Sequence, residues 1–157
     1  MTTSNDGSND APRLFGPPVT PVAVVVGVDL LARGRLAQSY ARRGERLLRR
    51  LFTEREVAEA RGQIERLESR FAGKEACAKA LGVGIGRLAS WQEIEIVRLP
   101  SGKPALSLSG GAATRAEELG ITAFDVSISD TRELVMAVVV GVRALASASS
   151  EPGDTQM

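Results

Sequence analysis

Two ten-residue runs near opposite ends of the chain, AVVVGVDLLA at 23–32 and AVVVGVRALA at 137–146, share most of their letters. Both are dense in β-branched residues, which pack well on a pleated surface and lose rotamer freedom in a helix. Each therefore reads as a strand, and the first, from Val22 to Leu31, is so continuously apolar that it predicts a buried one. The two runs are interchangeable as packing units and differ in the charge they present, Asp29 in the first and Arg143 in the second. A buried strand that ends on a carboxylate is unusual, because an unpaired buried charge is costly.

Between these strands the pattern alternates between helix and sheet periods. From about Leu36 to Leu51 the spacing predicts a helix with an apolar side (Leu36, Tyr40, Leu47, Leu48, Leu51) and a basic side (Arg42, Arg43, Arg46, Arg49, Arg50). Thr53 with Glu56 three residues on is a capping-box signature, and Gly62 is a stop for the helix that follows it. A longer helix is predicted over Ile64–Leu81, closing in the cluster Gly82, Gly84, Gly86. WQEIEIVRLPSGKPALSLSG alternates about the turn PSGK and predicts a β-hairpin; AATRAEELG is a short helix; AFDVSISDT and ELVMAVVVGVRAL are two more strands. The order predicts an α+β fold with a small, mostly antiparallel sheet. Residues 1–20 and 147–157 are poor in large apolar side chains and are expected to form loose tails around a single domain at 22–146.

Composition excludes more than it suggests. There is no histidine, and Cys77 is the only cysteine, so no Ser-His-Asp or Cys-His unit, histidine-ligated zinc or internal disulfide is available. The beginning of the chain has neither a basic region nor an apolar core of the secretory kind, and no apolar run approaches the roughly 20 residues of a membrane span. A cytoplasmic protein is expected. The arginine-rich helix has no interleaved aromatic residues, which argues against single-stranded nucleic acid.

Glu75 and Lys79 stand four apart on the long helix, within the weakly polar stretch Phe71, Ala72, Ala76, Cys77, Ala78. The residues alone allow a surface ion pair worth a few tenths of a kcal/mol, or a half-buried carboxylate that takes Lys79 or a metal as its cation. The glycine cluster follows its helix and lacks a Gly-Lys-Ser/Thr ending, so it is neither a Walker loop nor a dinucleotide fingerprint.

VVGVDLL, FTERE, RFAGKEACAKALGVGIG, WQEIEI, GKP and DVSISDT occur in an order and at a spacing that resemble the holo-acyl-carrier-protein synthases, the small trimeric type of 4'-phosphopantetheinyl transferase, over about residues 22–142. The resemblance implies that fold, with the sheet packed on the long helix, and a homotrimer. It implies transfer of the phosphopantetheine arm of coenzyme A to a serine of an acyl carrier protein, with magnesium as cofactor. Asp29 and Glu75 would then be the metal ligands, and Glu75, Asp29 and Lys79 the catalytic groups. Arg70, Lys79, Gly82, Gly84, Gly86, Asp125 and Ser127 would contact the coenzyme, and Arg35, Arg42, Arg46 and Arg49 the acidic carrier protein.

The chain departs from the family pattern at several positions. Where the family usually reads His-Val-Ser-Leu-Ser-His, this chain has Asp125-Val126-Ser127-Ile128-Ser129-Asp130; Ala32 stands for a glutamate and Val83 for a threonine. A carboxylate near a pyrophosphate repels it unless a cation lies between them. Two functions follow: a transferase in which carboxylates replace the histidines, or a repurposed member that binds carrier proteins or acts on carrier-bound intermediates.

Overall fold

The computed structural model describes residues 22–86 and 88–144; both expected tails lie outside them. Five strands and five helices follow in the order β1 (Val22–Ala32), α1 (Arg35–Arg43), α2 (Glu45–Leu51), α3 (Glu54–Ala60), α4 (Ile64–Ala80), β2 (Ile94–Arg98), β3 (Pro104–Leu108), α5 (Gly110–Glu118), β4 (Ile121–Asp130) and β5 (Leu134–Ala144). The architecture is the α+β arrangement expected, with all strand pairings antiparallel. One sheet has the order β1-β5-β4, and β2 and β3 form a separate hairpin. The two look-alike runs pair with each other in antiparallel register, so the equivalent charges fall at opposite ends of the sheet: Asp29 faces Ala137 and Arg143 faces Ala23.

Helix α4 is the central element. Its small residues Ala72, Ala76 and Cys77 are fully buried against Val126, Val135, Ala137 and Val139 of the sheet. Gly27 makes the contact possible, since a Cβ there would run into the Ala76 carbonyl. A second cluster joins α1, α2 and α3 through Leu36, Leu47, Leu48, Leu51, Phe52 and Ala60 to Leu67 of α4, and Phe71 packs against both clusters. Lys74, also on α4, is fully buried. Its Nζ lies 2.7 Å from the Glu56 carboxylate and donates to the carbonyls of Trp91 and Ile94. Burial pulls this ammonium below the ordinary lysine range, and Glu56 opposes the shift.

Two expectations are corrected. The helix expected over 36–51 is two helices, because Gly44 adopts φ 59° and ψ −154° and interrupts it. The strand expected to be buried has one open face: Val22, Val24, Val26, Val28 and Leu30 are 47–60 % exposed. β1 is an edge strand that meets α4 on one side only, so its alternate residues have no layer above them. Among the described residues no helix is long and apolar enough to cross a membrane.

Candidate active site

The capping box at Thr53 forms as expected, its hydroxyl accepting from Glu56 N and Glu56 accepting from Thr53 N. It fixes the start of α3, which packs behind α1 and α2, the two helices that wall one side of a cleft. The other wall is the junction of β1 and α4, where the close approach at Gly27 brings Asp29, two residues on, against the next turns of α4. Asp29 points to the packed side of β1, its side chain 15 % exposed. Lys79 donates to its carboxylate at 2.8 Å and to the Val28 carbonyl at 2.9 Å. Glu75, one helical turn before Lys79, is half-buried. Its carboxyl is held above the ordinary range, first by burial and then by the charge of Asp29, against the pull of Lys79 and Arg35.

Asp29 and Glu75 open onto a cleft of about 480 Å³. Its floor is apolar (Leu31, Leu36, Leu47, Leu51, Phe71, Trp91), with Phe71 and Trp91 stacked at 4.9 Å; its rim carries Arg35, Ser39, Arg43 and Arg50 beside Asp29 and Glu75. Of the basic residues singled out from the sequence, Arg35 lines the cleft. Arg46 lies just outside it in a depression shared with Arg43 and Arg50, and Arg42 and Arg49 are exposed elsewhere on the same two helices. Arg43 and Arg50 were placed on the basic side of the helix from the sequence but not among the residues expected to meet the carrier protein. The signal was present, since Arg43 follows Leu36 by seven residues and Arg50 follows Leu47 by three, which sets both beside the apolar stripe.

The remaining candidates sit apart from this cleft within one chain. Arg70 is buried on α4 and pairs with Glu59 at 2.8 Å, and its Nε has no hydrogen-bond partner. It lines a second cleft of about 250 Å³ with Arg33, Arg66, Ser69 and Arg98. Gly82 has φ 65° and closes α4 in a Schellman motif, with Val83 N donating to Ala78 O and Gly82 N to Lys79 O. Gly84 and Gly86 follow in the connection, and Gly86 also has a positive φ. Asp125 and Ser127 are exposed on the outer face of β4. Asp125 is not bare: Lys103 lies 2.8 Å away, and together with the Val126 N–H it holds the carboxyl below the ordinary range. Asp130 is paired with Arg33.

Two carboxylates and an ammonium at the edge of an arginine-rimmed cleft suit the handling of polyphosphates, where charge neutralisation matters more than covalent chemistry. Together with the antiparallel sheet on a long helix, they define a phosphoryl-transfer enzyme of the α+β class. Residues 25–139 match the model of the 4'-phosphopantetheinyl transferase superfamily, and the chain belongs to that family. It is 42 % identical over 141 residues to a holo-[acyl-carrier-protein] synthase of Rhodopseudomonas palustris (strain TIE-1), covering 83 % of this chain and 96 % of that one. It is 45 % identical over 125 residues to the Herpetosiphon aurantiacus protein of the same name, covering 76 % and 98 %. Among solved structures, the Helicobacter pylori holo-[acyl-carrier-protein] synthase in complex with coenzyme A superposes with a TM-score of 0.67 at 30 % identity, over 74 % of this chain and 98 % of that chain. The Neisseria meningitidis synthase gives 0.69 at 32 %, over 74 % and 96 %.

Proposed function

We propose that this protein transfers 4'-phosphopantetheine from coenzyme A to a serine of an acyl carrier protein. The observation that carries the proposal is the Asp29–Glu75–Lys79 cluster at the mouth of the cleft, in a chain whose relatives are holo-[acyl-carrier-protein] synthases over nearly their whole length.

Magnesium fits the cluster. Asp29 and Glu75 supply hard oxygen donors, and the unfavourable effect of Asp29 on Glu75 is what a divalent cation would relieve. Among the described residues no third acidic, histidine or cysteine side chain completes the set, which suits an ion that keeps waters and substrate phosphates as its other ligands. When bound, it would neutralise pyrophosphate charge and stabilise the departing phosphate.

The chain's own residues do the rest. Lys79 neutralises charge beside the reacting phosphate. Glu75, a carboxyl held above its ordinary range, is suited to accept the proton of the carrier serine, directly or through a water. Arg35, with Arg43 and Arg50 at the rim and Arg42, Arg46 and Arg49 beyond it, forms a basic surface on α1 and α2 for an acidic carrier protein. The apolar open face of β1, with Leu134 and Met136 of β5 also exposed, supports a homotrimer. In such a trimer the second cleft, with Arg70 and its unpartnered Nε, would close over the nucleotide end bound at a neighbour's Asp29 and Glu75. Gly82, Gly84, Gly86, Asp125 and Ser127 would border the same ligand. Residues 22–146 would be the single transferase domain of a cytoplasmic enzyme.

The test is intact-mass spectrometry of apo carrier proteins incubated with this protein, coenzyme A and magnesium. A gain of one phosphopantetheine on a carrier, absent with Glu75→Ala, is expected. Carrier binding without any mass gain would mean a repurposed member of the family.

A further inference from the structure

Helix α1 has no cap of its own. Its N-terminal neighbour is Gly34, at φ 82°, and no side chain of the first turn accepts from the free backbone N–H groups. Those groups are satisfied from α4 instead. Glu68, fully buried, accepts from Gly34 N at 2.8 Å and from Leu36 N at 3.2 Å through Oε1. Its Oε2 makes no hydrogen bond and has Arg33 Nη1 at 3.8 Å. Arg33 is held in turn: it donates to the Asp130 carboxylate, to Thr131 O and to Glu65 O, while its backbone N–H donates to Glu133 O.

The chain of contacts therefore runs from the β4–β5 turn through Arg33 to a buried carboxylate and on to the start of α1. Glu68 precedes Glu75 by seven residues, two helical turns, so both lie on the same side of α4. The residue that α1 presents first is Arg35, which lines the cleft and acts on Glu75 electrostatically. An ionised carboxylate at a helix N-terminus is favoured by the helix dipole as well as by its two N–H bonds.

We propose that Asp130, Arg33 and Glu68 form a relay that sets the angle of α1 against the Asp29–Glu75 pair, making them positioning residues for the carrier-protein half of the reaction. The proposal rests on the transferase reading. None of the three lines the Asp29–Glu75 cleft, Glu68 lines neither cleft while Arg33 and Asp130 border the second one, and the proposed effect on the carrier passes through α1 and Arg35. A small rotation of α1 would move Arg35 and Arg43 together, and misplacement of about 1 Å in a positioned group can cost up to about 100-fold in rate.

The experiment compares wild type with Arg33→Ala, Arg33→Lys, Asp130→Asn and Glu68→Gln in steady-state transfer, varying carrier protein and coenzyme A separately. For Glu68→Gln, at a residue that lines neither cleft, the KM for carrier is expected to rise about tenfold while the KM for coenzyme A stays within about twofold. Arg33→Ala should raise the KM for carrier at least as much, and its side chain also lines the second cleft, so its KM for coenzyme A is not the criterion. Arg33→Lys, which keeps the charge, should recover most of the loss; Asp130→Asn should give a smaller change in the same sense. Equal losses for both substrates in Glu68→Gln, or a lowered Tm with unchanged kinetics, would make the relay merely structural and overturn the proposal. Amide hydrogen exchange on the same proteins is independent of turnover. Exchange at Gly34 and Leu36 should quicken in Arg33→Ala and Glu68→Gln, and unchanged exchange overturns the relay. Should wild type transfer nothing to any carrier, the transferase reading fails while the exchange measurement still decides the relay.

Discussion

The Lys79 ammonium donates at once to the Asp29 carboxylate and to the Val28 carbonyl, so α4 supplies the cation that lets β1 carry a half-buried charge near its C-terminal end. In the proposed magnesium site the same ammonium would compete with the metal for one Asp29 oxygen. Lys79→Ala is therefore expected to separate two properties: magnesium binding, measured by calorimetry, tightens by up to about threefold, while kcat for transfer falls about 100-fold because a charge beside the reacting phosphate is gone. Loss of magnesium binding in this variant would show that Lys79 builds the metal site instead of sharing it.

Glu75 carries a stability cost that function explains. Burial and Asp29 raise its pKa in the folded protein, whereas the unfolded chain ionises near the ordinary value of about 4.3. A raised pKa means that the folded state binds the proton more tightly, so this contribution is complete below the unfolded value and is lost as pH rises through the folded one. Glu75→Gln stays neutral throughout. Without metal at pH 7 its Tm should exceed that of wild type by about 2–4 °C, and the gap should close toward pH 4. Magnesium should raise the Tm of wild type and leave the variant unmoved; scanning calorimetry at both pH values checks each part.

Lys74 and Glu56 hold together the two layers that frame the cleft. Both side chains are buried, and Lys74 also donates to Trp91 O and Ile94 O, while Glu56 accepts from Ile96 N. Removing one partner strands the other in the interior, so Lys74→Ala should lower unfolding stability in urea by about 3–5 kcal/mol. Glu56→Gln with Lys74→Met, which leaves no buried charge, should cost less than Lys74→Ala alone.

The elements that were legible in the sequence are those whose signals are local. β5, the capping box at Thr53, the turn at PSGK and the length of α4 all follow from period and punctuation within a few residues. Asp29, Glu75 and Lys79 were singled out through the resemblance; the structure pairs Lys79 with Asp29 and sets Asp29 and Glu75 in one cleft. What escaped were relationships between distant segments. The buried partner of Lys74 lies 18 residues earlier, in a glutamate that also reads as an ordinary capping residue. The open face of β1 cannot be inferred from a run of valines, because the same run suits a strand covered on both sides. Gly44 escaped for a different reason: a glycine within a good helical pattern lowers helix propensity by only about 1 kcal/mol, and the pattern continues past it.

The exposed pair Lys103–Asp125 decides whether the aspartate on β4 is a ligand or a neutralised bystander. Both groups are more than half exposed, so the pair adds little to stability and its removal should shift Tm by no more than about 1 °C. If Asp125 borders the coenzyme as proposed, the consequence of the pair lies in the charge presented to the pyrophosphate. With Lys103 in place the pair is close to neutral, and because the Asp125 pKa is lowered, it remains so from pH 8 down past the ordinary carboxylate range. Lys103→Ala leaves a bare carboxylate, and the KM for coenzyme A should rise about tenfold, most steeply at low salt. Asp125→Ala frees the ammonium, and that KM should fall or stay the same. The double variant should return to near the wild-type value, a non-additivity that only contacting groups produce. If Asp125→Ala alone abolished transfer, with coenzyme binding intact by calorimetry, Asp125 would be acting on the reacting centre itself, and the ion pair with Lys103 would be a resting arrangement that substrate displaces.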